Sequence, residues 1–371
     1  MQFCALSTVT QRIVLGTPLP FNVRNADHTL LLARGQIIKT TQQLADLFER
    51  GALVDLDELK KAAPNELEAP AESLPALWGK CADRIGLVIR NPSQPNFLAA
   101  LDEASKPMLS LVTRDPDLAI FQVVRQDPSI ARYGVTHALH TAIASQLAAQ
   151  RLGWDRERMQ VLVRAALTMN ISILELQNRL TAQSTPLTTE QRALIHEHPA
   201  RSVDMLQAAG VTDRDWLDTV AHHHENENGT GYPQKITDVG ELAALLRRTD
   251  IYTAKLSSRV SRAALGANQA ARDMYVQDHQ HPMAAAIVKE FGVYPPGCCV
   301  KLASGEIGLV IKRGEITTAP VVAALVDRQG ESLMDPLRRN TAIAEHAIVS
   351  IVSEKTLGVR VSAERLAALA A

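Results

Sequence analysis

The chain has 371 residues, enough for two or three domains, and sets 39 Lys and Arg against 40 Asp and Glu for a net charge of −1. That balance argues against bulk nucleic-acid or anionic-membrane binding, while leaving room for a local basic pocket. There is no apolar run of about 18 residues and no signal-peptide pattern, and Cys4, Cys81, Cys298 and Cys299 lack disulfide or zinc spacing, so a soluble protein of a reducing cytoplasm is expected.

Residues 1–61 read as a small α/β module. Short strands over 16–24 and 29–35 meet around Asn25, Ala26, Asp27 and His28, and 41–50 form an amphipathic helix stopped by Gly51. No chemistry is visible there, which points to an input or docking role. Residues 62–96 read as a linker and bracing segment, since 62–76 are rich in Pro, Glu and Ala. A helical domain then spans 97–292. Bracing helices run from about Phe97 to Gln126, the second opening at Asp115 and Pro116 with proline at a helix start. Leu139, Ile143 and Leu147 make the core-facing stripe of a helix over 136–151, with His137 and Thr141 one turn apart on an adjoining face. A further helix covers 155–171. Thr188 and Gln191 form a capping box that opens a helix carrying His196 and His198, with Pro199 shortly after. Thr212 opens the next helix, which runs through Trp216, Leu217 and Val220 to the three histidines at 222–224. Residues 241–255 are rich in Ala and Leu, and Asp250 sits among Leu245, Leu246 and Ile251. After Gly292 the period changes. A hairpin over 299–314 and strands over 321–330 and 347–352 make 293–371 a β-rich extension, read as a buttress. Aromatic content is only 4%, so the core rests on Leu, Ala, Val and Ile, which favours close helix packing.

Residues 222–233 carry the most chemistry: His222, His223 and His224, then Glu225, and then Gly229, Thr230, Gly231, Tyr232 and Pro233. Each imidazole has two nitrogens that need partners, and His is the commonest metal ligand. Taken alone, the run is equally a polar helix end entering a surface turn. The other histidines bear on the choice: His137, His140, His196 and His198 also lie on helical segments. Asp250 on an apolar helix is costly unless it is paired or bound to a cation. Several helices giving one or two ligands each is how a bundle builds a metal site.

These motifs resemble the HD-GYP phosphodiesterases, a branch of the HD-domain metal-dependent phosphohydrolases. His137 matches the upstream His, His198 and Pro199 the His-Pro pair, and His223, His224 and Glu225 the His-His-Glu. Gly229 to Pro233 match the signature loop, with Asn228 where Asp is usual. Asp250 matches the final Asp, and Arg259 and Arg262 resemble the arginines that follow it. The resemblance covers roughly 130–290 and departs at one place: Met169 stands at the family's defining His, Asn170 at its Asp and Ile173 at its Lys. In the family that Asp bridges two cations. Asn offers one neutral carbonyl oxygen and cannot bridge them. Met presents a soft thioether, and Ile173 removes a cation from beside the substrate phosphate.

The resemblance therefore implies a mainly α protein, an HD-type helical bundle with a small N-terminal α/β unit and a small β-rich C-terminal extension. It implies metal ligands at His137, His198, His223, His224 and Asp250, and ligand-binding residues at Gly231, Tyr232, Arg259 and Arg262. No catalytic residue is assigned. The expected cofactor is one divalent transition metal (Fe, Mn or Zn) or none, because His198, His223 and His224 make a three-imidazole half-site while His137 and Asp250 alone are too few. The expected function is that of a cytoplasmic bacterial signalling protein that binds cyclic di-GMP, a related dinucleotide or a signalling protein partner, with little or no phosphodiesterase activity. A weak mononuclear metal-dependent cyclic di-GMP phosphodiesterase is the alternative, and a purely structural interaction module is the third reading.

Overall fold

Residues 3–13, 16, 18–56, 58, 69–125, 132–260, 264–358 and 362–370 are described by the computed structural model, in two units, Met1–Ala69 and Pro70–Ala371. In the first unit, β1 (Phe3–Ala5), β2 (Val23–Arg24), β3 (Leu30–Leu32) and β4 (Leu53–Asp55) form an antiparallel sheet in the order β1-β4-β2-β3. Helix α1 (Thr41–Glu49) supplies Leu44, Leu47 and Phe48 to a core around Leu6, Phe21, Val23 and Val54. The two expected strands are present as the shorter β2 and β3, with a register shift between Val23 and Arg24. β1 and β4 are three residues each, too short for alternation to register in the sequence.

The second unit begins with α2 (Leu74–Ile89), inside the stretch read as linker and bracing segment. Residues 62–68 of that stretch lie outside the described residues. The buried Leu77, Trp78, Cys81, Ile85 and Ile89 recur at helical spacing. Helices α3 (Phe97–Arg114) and α4 (Pro116–Val124) follow, and the side chain of Asp115 caps α4 by accepting from the Leu118 N–H. The expected end at Gln126 is outside the described residues. Next come α5 (Tyr133–Arg151), α6 (Arg156–Thr168), α7 (Leu174–Ala182), α8 (Thr189–Ala208), α9 (Arg214–His222), α10 (Glu241–Leu256), α11 (Ala267–Gln277) and α12 (Pro282–Phe291).

Helix α5 is the axis of the bundle, packed against α2, α4, α6, α7, α10 and α12. Burial continues around all its faces, so the single apolar stripe read from the sequence understates it. Its polar residues are accommodated by pairing: Thr141 Oγ1 lies 2.9 Å from Thr253 Oγ1 and Ser145 Oγ 2.7 Å from Thr249 Oγ1, both on α10. Gly134 allows the start of α5 to touch α7. A Cβ there would sit 2.8 Å from the Leu174 carbonyl oxygen, and the Gly134 N–H donates to Asn178 Oδ1 at 2.9 Å.

The capping box of α8 forms as expected, but the helix runs through Pro199 to Ala208. The N-cap of α9 is Asp213, whose carboxylate accepts from the Trp216 N–H, rather than the neighbouring Thr212. Beyond the bundle, β5 (Cys299–Leu302), β6 (Ile307–Lys312), β7 (Val321–Val326), β8 (Ser332–Asn340) and β9 (Ile348–Ile351) make an antiparallel sheet in the order β8-β7-β6-β5-β9. The terminal α13 (Ala363–Ala370) packs on α2, β6 and β7. Arg313 ties this sheet to the bundle: it pairs with Asp117 and, at 2.7 Å, with Glu290, which also accepts from Arg151 at 2.5 Å. The architecture is mainly α, a helical bundle with a small α/β unit first and a β-rich extension last in sequence. Among the described residues no helix is long and apolar enough to cross a membrane.

Candidate metal centre and ligand cavity

Pro199 explains how His198 is held. Within α8 it has no N–H to give to the carbonyl four residues back, which leaves Ile195 O free. The His198 ring takes that acceptor, with Nδ1 at 2.6 Å. His223, the C-cap of α9, uses another helix-end carbonyl: its Nδ1 lies 2.7 Å from Val220 O. A carbonyl oxygen only accepts, so both rings carry their proton on Nδ1 and present a lone pair at Nε2. The two Nε2 atoms are 3.1 Å apart. Neither can donate to the other, and the contact is favourable only around a shared proton or cation.

Burial decides against the proton. It pushes His198 down to about 3 and lowers His223 and, more strongly, His224, with neighbouring imidazoles adding to the shift in His198 and His224. At neutral pH the cluster is three uncharged imidazoles, the form that ligates metals. One nitrogen from each of His198, His223 and His224 lies within 4.8 Å of the others. This donor set fits a divalent transition metal of zinc or iron type.

His137 and Asp250 take a different arrangement. His137 Nε2 lies 2.7 Å from Asp250 Oδ1, joining α5 to α10. Burial works against an ionised Asp250, but the His137 hydrogen bond and the surrounding imidazoles outweigh it and hold the carboxyl well below the usual range. Both residues line a cavity of about 160 Å³ together with His198, His224 and Tyr232. Asn170 and Ile173 also face it, and Asp250 is its one carboxylate among the described lining residues. Met169 is fully buried at the C-cap of α6 and is not among the lining residues.

The signature loop is built by Glu225 and two glycines. Glu225 is fully buried, and its Oε1 accepts from the N–H groups of Gln234 at 2.6 Å and Lys235 at 3.0 Å. Gly231 lies against that segment so closely that a Cβ would be 2.4 Å from Glu225 Cα and from Asn226 N. Gly229 takes φ +73°. Asn228 Oδ1 accepts from Thr230 N–H at 3.0 Å and Oγ1 at 2.6 Å, so Asn in place of the usual Asp keeps the turn. Tyr232 is thereby stacked on His224 at 4.5 Å, with His196 on Tyr232 at 5.4 Å.

Arg259 reaches the cavity over Tyr133. Its guanidinium carbon is 5.6 Å from the ring centroid, and Nη2 donates to the Tyr133 hydroxyl at 3.2 Å, while Nε is buried without a partner among the described residues. Arg262 lies outside the described residues. Sequence reasoning missed Tyr133 and Gln177, both of which line the cavity. Tyr133 was findable: it precedes His137 by one helical turn, and the two rings are parallel within 4° at 5.5 Å.

The helical bundle thus gathers imidazoles and one carboxylate from separate helices beside a glycine-rich loop. The sequence model of the family described as HD domain matches residues 123–281, and HD domains are typically metal-dependent. Over 153 residues the chain is 30% identical to the cyclic di-GMP phosphodiesterase PA4108 of Pseudomonas aeruginosa, covering 40% of this chain and 37% of that one. Over 107 residues it is 27% identical to the cyclic di-GMP phosphodiesterase PdeB of Borreliella burgdorferi, covering 29% and 28%. The matches thus span little more than a third of these relatives at most. The stretch 123–281 is similar to the HD-domain model and, over part of the chain, to cyclic di-GMP phosphodiesterases. Among solved structures, Bd1817, a HDG"Y"P protein from Bdellovibrio bacteriovorus, aligns with a TM-score of 0.49 at 17% identity, over 78% of this chain and 98% of that one.

Proposed function

We propose that the chain is a cytoplasmic bacterial signalling protein whose HD-GYP-like domain, over 97–292, is degenerate. In this reading it binds cyclic di-GMP, a related dinucleotide or a protein partner and has little or no phosphodiesterase activity. The observation that carries the reading is the pairing of an intact three-imidazole cluster with Asn170 and Ile173 in the cavity. His198, His223 and His224 would hold one divalent ion, which acts as a Lewis acid toward water or phosphate oxygen when bound. Joining a second ion needs a bridging anion, and Asp250 is already engaged by His137.

The remaining side chains are suited to recognition. Arg259 offers a buried N–H and a guanidinium braced on Tyr133 for a phosphate oxygen. The cavity is smaller than the roughly 300–1,000 Å³ of most small-molecule sites, so a dinucleotide would insert one phosphate and lie across the mouth. The ionised Asp250 beside His137 favours the alternative, a weak mononuclear phosphodiesterase, because it supplies an oriented imidazole next to the cluster.

Elemental analysis with a cyclic di-GMP titration and a hydrolysis assay tests the reading. At most about one ion per chain is expected, lost in His224→Ala, with turnover far below about 1 per second. Two tightly held ions, or turnover reaching that range, would overturn the degenerate assignment. No binding at high micromolar ligand would remove the nucleotide role and leave the protein-partner role.

A further inference from the structure

A second cleft, of about 610 Å³, lies between the signature loop, α10 and the turn joining α11 to α12. Arg248 forms its floor, 2% exposed, and its charge is spent: it donates to Asp278 at 2.6 and 3.2 Å and to Glu227 at 2.7 Å. Those are the two carboxylates among the lining residues, so three lining cations, Arg247, Arg248 and Lys255, face two carboxylates and the lining carries a net positive charge. Arg247 has no hydrogen-bond or ion-pair partner among the described residues, and Lys255 reaches only Gln277 Oε1, at 3.4 Å. Burial, and then the adjacent Arg248, push the Arg247 guanidinium below its ordinary value. Asp278, Glu227 and Asp250 offset this only in part, which leaves Arg247 a half-buried cation without a direct partner among the described residues.

Arg247, Ile251 and Lys255 follow one stripe of α10, with the two cations about 12 Å apart along the axis. Both side chains are long enough to converge on one ligand above Ile251. Across the cleft, His279 and Gln280 take φ values of +49° and +64°, two consecutive non-glycine residues in the left-handed region. Such strain persists where the surroundings impose it.

We propose that this cleft is a binding site for a small polyphosphate-bearing molecule, whose vicinal phosphates engage Arg247 and Lys255. A single phosphate satisfies one cation, whereas linked phosphates reach both. The site is separate from the imidazole cluster and does not rest on the function proposed above.

Isothermal titration of the full chain with pyrophosphate, in buffer free of added metal, tests it. One-to-one binding is expected, tighter than for orthophosphate and weakened by added salt. Arg247→Gln and Lys255→Gln should each weaken it about tenfold, and Arg259→Ala, at the other cavity, should leave it unchanged. Because Arg247 makes no hydrogen bond or ion pair among the described residues, Arg247→Gln should keep the melting temperature. No binding overturns the proposal, as does binding that survives the double variant or disappears with Arg259→Ala. A lowered melting temperature in Arg247→Gln would mark Arg247 as structural and sink it equally.

Discussion

Glu225 and Gly231 act on the same loop by different means, one through two accepted hydrogen bonds and the other through the absence of a side chain. Their effect reaches the candidate centre because Tyr232, next to Gly231, is stacked on His224. Adding a methyl at 231 forces backbone apart from backbone, which costs about 1–3 kcal/mol when a well-packed site is overfilled. Gly231→Ala should therefore lower the melting temperature by several degrees and weaken metal retention together. An unchanged melting curve would show that the loop relaxes freely. Glu225→Ala strands the Gln234 and Lys235 N–H groups and should do at least as much harm, while Glu225→Gln keeps one acceptor oxygen and should be milder.

At the scale of elements, legibility followed the strength of local chemistry. The capping box at Thr188, the Asp115 cap and the amphipathic α1 each rest on neighbours in sequence, and each formed. Proline inside a helix usually breaks it, yet α8 continues through Pro199, and the His198 ring takes the carbonyl freed at Ile195. β8 alternates weakly, being exposed along most of its length, so little marked it beforehand. The three-imidazole cluster was legible as a motif. Tyr133 and Gln177 were not, since cavity walls come from tertiary packing rather than from a signature. The turn after α6 is where the family pattern is lost, and it can be tested by restoration. Asn170 and Ile173 face the cavity, so Asn170→Asp and Ile173→Lys present their groups directly. Met169→His must bury a ring where a thioether now packs. The triple variant should raise bound metal above the level of the unmodified chain. No gain would mean that the walls have drifted along with the ligands.

For the whole molecule, the decisive quantity is how many imidazoles the fold keeps neutral. His140, like His198, is pushed down to about 3 by burial, with His137 adding to the effect, and His223 and His224 are lowered as well. In the unfolded chain each titrates near its ordinary value of about 6.5. Between that value and the lowered folded one, the unfolded state binds protons that the folded state refuses. The stabilisation is therefore complete above about pH 6.5 and is lost as pH falls, by about 1.4 kcal/mol per pH unit for each such group. Asp250 pulls the same way at lower pH: its depressed carboxyl contributes above the ordinary carboxylate value and loses that contribution as pH drops through it. Melting temperature should thus fall steadily from about pH 7.5 to about pH 5. His140 lies outside the metal cluster, so His140→Leu isolates one of these groups without touching a ligand. That variant should show a shallower decline, by the equivalent of one proton. A flat profile in the unmodified chain would mean that the buried imidazoles are protonated in the folded state, and the neutral donor set on which metal binding depends would go with it.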